Sequence, residues 1–143
     1  MDSQSSPAQD EALARTPADD LLKLPFLAAD VVPNSGAAYG LSKRANHLRV
    51  QAASIDWGER GARINFISPG IILTPLAAQE MAGPGGPRYR AMIETSSAGR
   101  VGTTDEVASA AAYLLGPEAS FVTGSDLLID GGVIAAMRAG RLN

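Results

Sequence analysis

Tyr39-Gly40-Leu41-Ser42-Lys43 stands at the head of a long helical stretch and sets a phenol and an ammonium four residues apart. On a helix, positions i and i+4 lie on one face, one turn apart, so both groups can act on one bound molecule. Leu41, Ala45, Leu48, Ala52 and Ile55 recur at spacings of four and three. That apolar stripe predicts a helix over about 37–58, with Gly58 and Gly61 ending it and the turn cluster Pro33-Asn34-Ser35-Gly36 before it. A free phenol is a poor base at neutral pH, and a neighbouring ammonium favours the phenolate, which brings proton transfer within reach. Taken alone, Tyr-x-x-x-Lys describes many pairs of surface residues on amphipathic helices. The downstream sequence gives this pair its weight.

Arg63-Ile64-Asn65-Phe66-Ile67-Ser68-Pro69-Gly70-Ile71-Ile72-Leu73-Thr74 predicts an apolar strand over 62–67, stopped by Pro69-Gly70. A second strand, Asp126-Leu127-Leu128-Ile129-Asp130, ends at Gly131-Gly132. Apolar strands alternating with helices indicate α/β and a parallel sheet covered on both faces. Open α/β sheets bind ligands beyond the carboxyl ends of their strands, which is where Pro69–Thr74 falls. Gly70 allows a close backbone approach. Free N–H groups and the Thr74 hydroxyl are suited to gripping an amide; equally, the segment fits an ordinary strand-to-helix turn capped by Thr74.

Thr103-Thr104-Asp105-Glu106 is a capping box opening a helix whose buried stripe is Val107, Ala111 and Leu114. Residues 76–98 are small, punctuated by Gly83-Pro84-Gly85-Gly86-Pro87, and read as mobile. Residues 1–6 read as a frayed start, and the acidic stretch 7–34 fits two short helices, about 8–15 and 18–24, separated by Pro17.

A chain of 143 residues, 45% apolar, makes one domain at most. A net charge of -3 gives no electrostatic footprint for nucleic acid. No cysteine is present, which excludes disulfides, thiol catalysis and Cys-ligated zinc, and a single histidine leaves little for a transition-metal site. No apolar run reaches the roughly 18 residues of a membrane helix, and Met1-Asp2 does not begin a signal peptide, so the expected location is the cytoplasm. His47 is either a proton shuttle or a partly exposed helix histidine, and Ser42 reads as a packing residue. Asp10, Glu11, Asp19, Asp20 and Asp30 read as a solvated face.

In order and spacing, the Tyr39/Lys43 pair, the Asn65–Thr74 stretch, Gly99-Arg100 and Asp130-Gly131-Gly132 resemble the C-terminal half of a short-chain dehydrogenase/reductase. The resemblance covers about residues 35–138. It implies the last two strands, with their helices, of a Rossmann-like doubly wound parallel sheet, without the N-terminal nucleotide-binding half. It also implies NAD or NADP as cofactor and a small-molecule alcohol or carbonyl substrate. Tyr39 matches the catalytic tyrosine; Lys43 matches the lysine that favours its phenolate and binds the nicotinamide ribose. Pro69, Gly70, Ile72 and Thr74 match the loop that holds the carboxamide, and Asn65 matches an asparagine that often precedes it. Residues 76–98 match the substrate lid. On this division, 1–34 is an acidic, insertion-like segment and 35–143 the C-terminal portion of the dehydrogenase domain.

Pro87-Arg88-Tyr89, the ending Asp130–Arg138 and the 7–34 segment resemble the bacterial 3α-hydroxysteroid dehydrogenase/carbonyl reductase subgroup. That resemblance implies a homo-oligomer, a dimer through the last strand and its neighbouring helix. The family pattern is not fully met. No glycine-rich loop is present to cradle a pyrophosphate, and the family's asparagine from the other half has no counterpart. Phe26 stands at the usual spacing of the catalytic serine, which leaves Ser3, Ser5 and Ser6 as candidates further upstream. Two functions remain open: a truncated oxidoreductase, or a catalytically inactive remnant acting as an oligomerisation or partner-binding module.

Overall fold

The computed structural model describes residues 5–142. Their order is α1 (Pro7–Arg15), α2 (Ser35–Glu59), β1 (Phe66–Pro69), α3 (Pro75–Ala82), α4 (Gly86–Thr95), α5 (Thr104–Leu115), β2 (Asp126–Ile129) and α6 (Val133–Arg138). Short 3-10 turns occupy Ala18–Lys23, Pro25–Leu27 and Pro117–Ala119. β1 and β2 form a two-stranded sheet. Phe66 N–H donates to the Ser125 carbonyl at 2.8 Å and Gly70 N–H to the Ile129 carbonyl at 2.9 Å, so the strands run parallel. The class is α/β, as the strand and helix patterns predict. The described chain forms two compact units: one runs up to Phe66 and includes Val122–Asp126, the other holds Ile67–Phe121 and the residues from Leu127 onward.

In the first unit, α1 starts with a capping box in which Ser6 accepts from Gln9 N–H and the Gln9 side chain accepts from Ser6 N–H. α1 packs on α2. It buries Leu13, which is only 1% exposed, a burial that stabilises by about 1.5–3 kcal/mol. Arg49 donates to the carbonyls of Leu13 (3.3 Å) and Thr16 (2.6 Å), satisfying groups that the end of α1 leaves unpaired. Arg44 pairs with Asp10, whose carboxylate also accepts from Ser5 at 2.5 Å. The Arg44 guanidinium and then the Ser5 hydroxyl hold the Asp10 carboxyl below its ordinary range. Lys23 pairs with Asp20 at 2.5 Å and Arg15 with Glu11, so part of the acidic face is ion-paired.

α2 begins at Ser35, two residues ahead of the expected start, because the Asn34 side chain accepts from Ala37 N–H at 2.9 Å and caps it. Ala45 is buried and Leu41, Leu48 and Ala52 are half-buried, but Ile55 is exposed. Within this unit the nine-residue α1 covers only part of the 25-residue α2, which leaves the end of the stripe uncovered. β1 starts at Phe66 and not at residue 62. Ahead of it, Asn65 cross-links the chain instead of joining a ladder: its amide donates to the Val122 carbonyl (2.9 Å) and accepts from Ser125 N–H (3.1 Å).

In the second unit, the stretch marked as mobile by its Gly and Pro is mostly helical. Pro75 and Pro87 stand in the first turns of α3 and α4, where a missing N–H costs nothing. The two helices approach so closely that a Cβ on Gly86 would meet the Met81 carbonyl oxygen at 2.1 Å. Tyr89 Oη donates to Glu80 at 2.7 Å and ties the pair together. The predicted capping box is present at α5, with Thr103 accepting from Glu106 N–H and the Glu106 side chain accepting from Thr103 N–H. Ala77, Leu114, Ala119, Val133 and Ala136 are buried in this unit.

Candidate functional site

Tyr39 and Lys43 fall in the first unit, Pro69, Gly70, Ile72 and Thr74 in the second. On α2 the Lys43 ammonium lies over the face of the Tyr39 ring, 5.3 Å from its centroid, a cation–π contact. Tyr39 is 65% exposed, and among the described residues no hydrogen bond occupies its hydroxyl or the Lys43 ammonium. Both groups are therefore open to a bound molecule. The Asn34 cap fixes the helix one turn before Tyr39. Ser42 is exposed, not packed; its hydroxyl donates to the Tyr39 carbonyl at 2.8 Å. His47 is held by Asp126, 3.3 Å from Nδ1, and by the Phe66 ring, whose centroid is 4.2 Å away.

The upstream serines have other duties. Ser5 donates to Asp10 and accepts from Arg44, while Ser6 caps α1. Ser3 lies outside the described residues. Phe26 sits in the Pro25–Leu27 turn.

The loop after β1 is fixed at several points. Gly70 N–H is bonded to β2, and a Cβ there would lie 2.6 Å from the Asp130 Cα, so only glycine fits the approach. Ile72 forms a parallel bridge with Gly102: Gly102 N–H donates to the Ile71 carbonyl at 2.9 Å and Leu73 N–H to the Gly102 carbonyl at 2.8 Å. Thr74 caps α3, accepting from Ala77 N–H at 3.1 Å, and its own O–H remains able to donate. The cap and the amide-gripping role are thus compatible in one hydroxyl. Among the described residues, the N–H groups of Ile71, Ile72 and Thr74 carry no hydrogen bond. A loop with unspent donors and a close-approach glycine fits the carboxamide of a nicotinamide. A cavity of about 180 Å³ adjoins it, lined by Ile71, Ile72, Arg100, Glu106 and Asp130 among others.

Glu106, beyond its capping role, takes both terminal nitrogens of Arg100 at 3.0 and 2.6 Å. The capping box is legible in the sequence; its capture of Arg100 is not, although the nearby Gly99-Arg100 is a signal. The guanidinium, and then the Thr103 N–H, hold the Glu106 carboxyl at about 2 against an ordinary 4.5. A carboxyl with a depressed folded value stabilises the fold fully above the unfolded value and loses that contribution as pH falls through the folded one. Denaturation midpoints should therefore drop as pH falls from about 4.5 toward 2. Glu106→Gln should flatten that acid limb, leaving the share of Asp10; an unchanged limb would show that the pair does not stabilise the fold.

Among the described residues, no group of three or more His, Cys, Asp or Glu is placed to hold a metal ion. Nor is any helix there long and apolar enough to cross a membrane.

Residues 9–134 match a family model described as Enoyl-(Acyl carrier protein) reductase. A short-chain dehydrogenase/reductase of Alternaria brassicicola is 48% identical over 123 residues, which are 86% of this chain and 44% of that protein. A 3-alpha-hydroxysteroid dehydrogenase/carbonyl reductase of Comamonas testosteroni is 42% identical over 71% of this chain and 39% of its own length. Among solved structures, the 3-alpha-hydroxysteroid dehydrogenase from Pseudomonas sp. B-0831 complexed with NADH superposes with a TM-score of 0.72 at 37% identity, covering 91% of this chain and 49% of that one. The chain thus spans less than half the length of these relatives, and its two parallel strands and helices are part of their Rossmann-like fold.

Proposed function

Because this chain belongs to the short-chain dehydrogenase/reductase family, we propose that it carries the proton-transfer and carboxamide-binding half of a cytoplasmic, NAD(P)-dependent oxidoreductase interconverting an alcohol and a ketone or aldehyde. Steroids are one candidate class of substrate. When bound, the nicotinamide supplies hydride exchange with the carbinol carbon. Tyr39 Oη takes the substrate's hydroxyl proton in oxidation and returns it to the carbonyl oxygen in reduction. The Lys43 ammonium, held over the Tyr39 ring, serves the ribose hydroxyls. Pro69 and Gly70 shape the loop, and the Ile72 N–H and Thr74 hydroxyl hold the carboxamide. The observation that carries this assignment is the unspent phenol and ammonium stacked on one exposed face of a capped helix.

The test is a chimera in which residues 35–143 replace the matching part of the Pseudomonas enzyme, whose own N-terminal half supplies the dinucleotide turn. NADH-dependent reduction of a ketone, seen as loss of NADH absorbance, is the expected result. A chimera that folds and binds NADH but never oxidises it would overturn the assignment.

A second role, as a homo-oligomerising module, is favoured by the exposed apolar side chains of the second unit. Leu115 is 84% exposed and Phe121 fully so, with Tyr113 and Leu128 also exposed. Exposed apolar groups of this size are suited to burial against a second copy of this chain. Sedimentation of the 143-residue chain as a clean monomer at micromolar concentration would reject it.

A further inference from the structure

We propose that Arg100, Glu106 and Thr103 form a positioning clamp that sets where the Pro69–Thr74 loop presents its donors. The proposal deepens the carboxamide assignment of that loop, on which its functional meaning rests. The connections run without a gap inside the second unit. Glu106 binds Arg100 through both carboxylate oxygens and accepts from Thr103 N–H at 2.8 Å. Arg100 also donates to the Val101 carbonyl at 3.0 Å. The short segment from Arg100 to Thr103 is therefore pinned at both ends to the start of α5. Gly102, the residue between those pins, is the partner of Ile72 in the isolated parallel bridge. A Cβ on Gly102 would meet Ile72 Cδ1 at 2.8 Å, so a larger residue there would push the Ile72 side chain aside.

Further order comes from the approach to the clamp. Ser96 is buried; its hydroxyl donates to the Ile93 carbonyl at 2.7 Å and accepts from Gly99 N–H at 3.2 Å. Gly99 turns the chain with a φ of 63°, a left-handed conformation that leads directly into Arg100. Two residues of backbone pairing are a weak hold by themselves. A bidentate guanidinium–carboxylate pair is directional and resists rotation. It transmits that order to Ile72, whose own N–H stays unspent. Arg100, Glu106 and Thr103 act through the loop and are positioning residues.

Amide hydrogen exchange on the full 143-residue chain tests the clamp. Glu106→Gln retains an acceptor suitable for the capping box but removes the charge that holds Arg100. It should speed exchange at Leu73 and Gly102 at least tenfold while Gly70 and the interior of α5 keep their protection. Arg100→Lys, a point charge without the fork, should give an intermediate acceleration, and Arg100→Ala a full one. Unchanged exchange at Leu73 and Gly102 overturns the clamp. So does acceleration at every amide of the unit together, since that marks general destabilisation. This measurement stands whether or not the loop ever holds a carboxamide, so the clamp and the cofactor assignment fail separately; the chimera decides the second.

Discussion

Mixed alone with NADH or NADPH and a ketone, the 143-residue chain should show no turnover and no saturable cofactor binding. It holds Tyr39 and Lys43, the proposed proton-transfer pair, and the loop proposed to grip an amide. Its sequence has no glycine-rich turn leading into a helix, the element that receives a pyrophosphate. Without that anchor the nicotinamide is not held against the substrate, and the proximity term at stake is ~7–11 kcal/mol of barrier. A correctly placed general acid restores only about 10²–10⁴-fold, so the loss of positioning outweighs the chemistry that remains. Calorimetry at millimolar cofactor should be flat. A micromolar dissociation constant would mean that the dinucleotide is received by residues assigned here to the acidic segment or to α3 and α4.

In the active chimera, Tyr39→Phe should lower kcat by about 10²–10⁴-fold and leave NADH affinity nearly unchanged. The substitution removes one oxygen and nothing else of consequence. The ring stays, and with it the face over which the Lys43 ammonium sits. Tyr39 is exposed and its hydroxyl bonds to no described residue, so the change leaves no buried group unsatisfied and costs little stability. A fall in kcat with KM for the cofactor preserved marks a group that acts on the substrate oxygen. Retention of more than a tenth of the unsubstituted kcat would remove Tyr39 as the acid–base.

The parts of the fold legible in the sequence are those where a local signal and the tertiary answer agree. The Thr103–Glu106 box gives the start of α5, and the run Asp126–Ile129 gives β2, because each rests on contacts between near neighbours or on a plain apolar pattern. α2 is legible as a helix, but its first residues are not, since the Asn34 cap overrides the apparent turn at Ser35-Gly36. The helices of 75–95 hide behind glycine and proline, which read as punctuation in the sequence although Pro75 and Pro87 sit in first turns. Ile55 obeys the period of a buried stripe and is exposed, because periodicity says which face is apolar and not how much of it is covered. At the site, Tyr39, Lys43 and the 69–74 loop are visible as motifs. The bond from Gly102 to that loop joins residues thirty positions apart through main-chain atoms, and main-chain atoms leave no trace in residue identity.

Thr74 spends one lone pair of its hydroxyl on Ala77 and keeps the proton of the same group. Fraying of the first turn of α3 and capture of an amide by that hydroxyl are then linked equilibria. A ligand that draws the O–H into one orientation favours the intact cap, and an intact cap presents the O–H already oriented. Occupancy of the loop would be written into the helicity of α3, so a probe placed on that helix reports on a ligand it never touches. The linkage runs both ways. A substitution within α3 that loosens its first turn weakens amide capture by as much as amide capture would have tightened the turn.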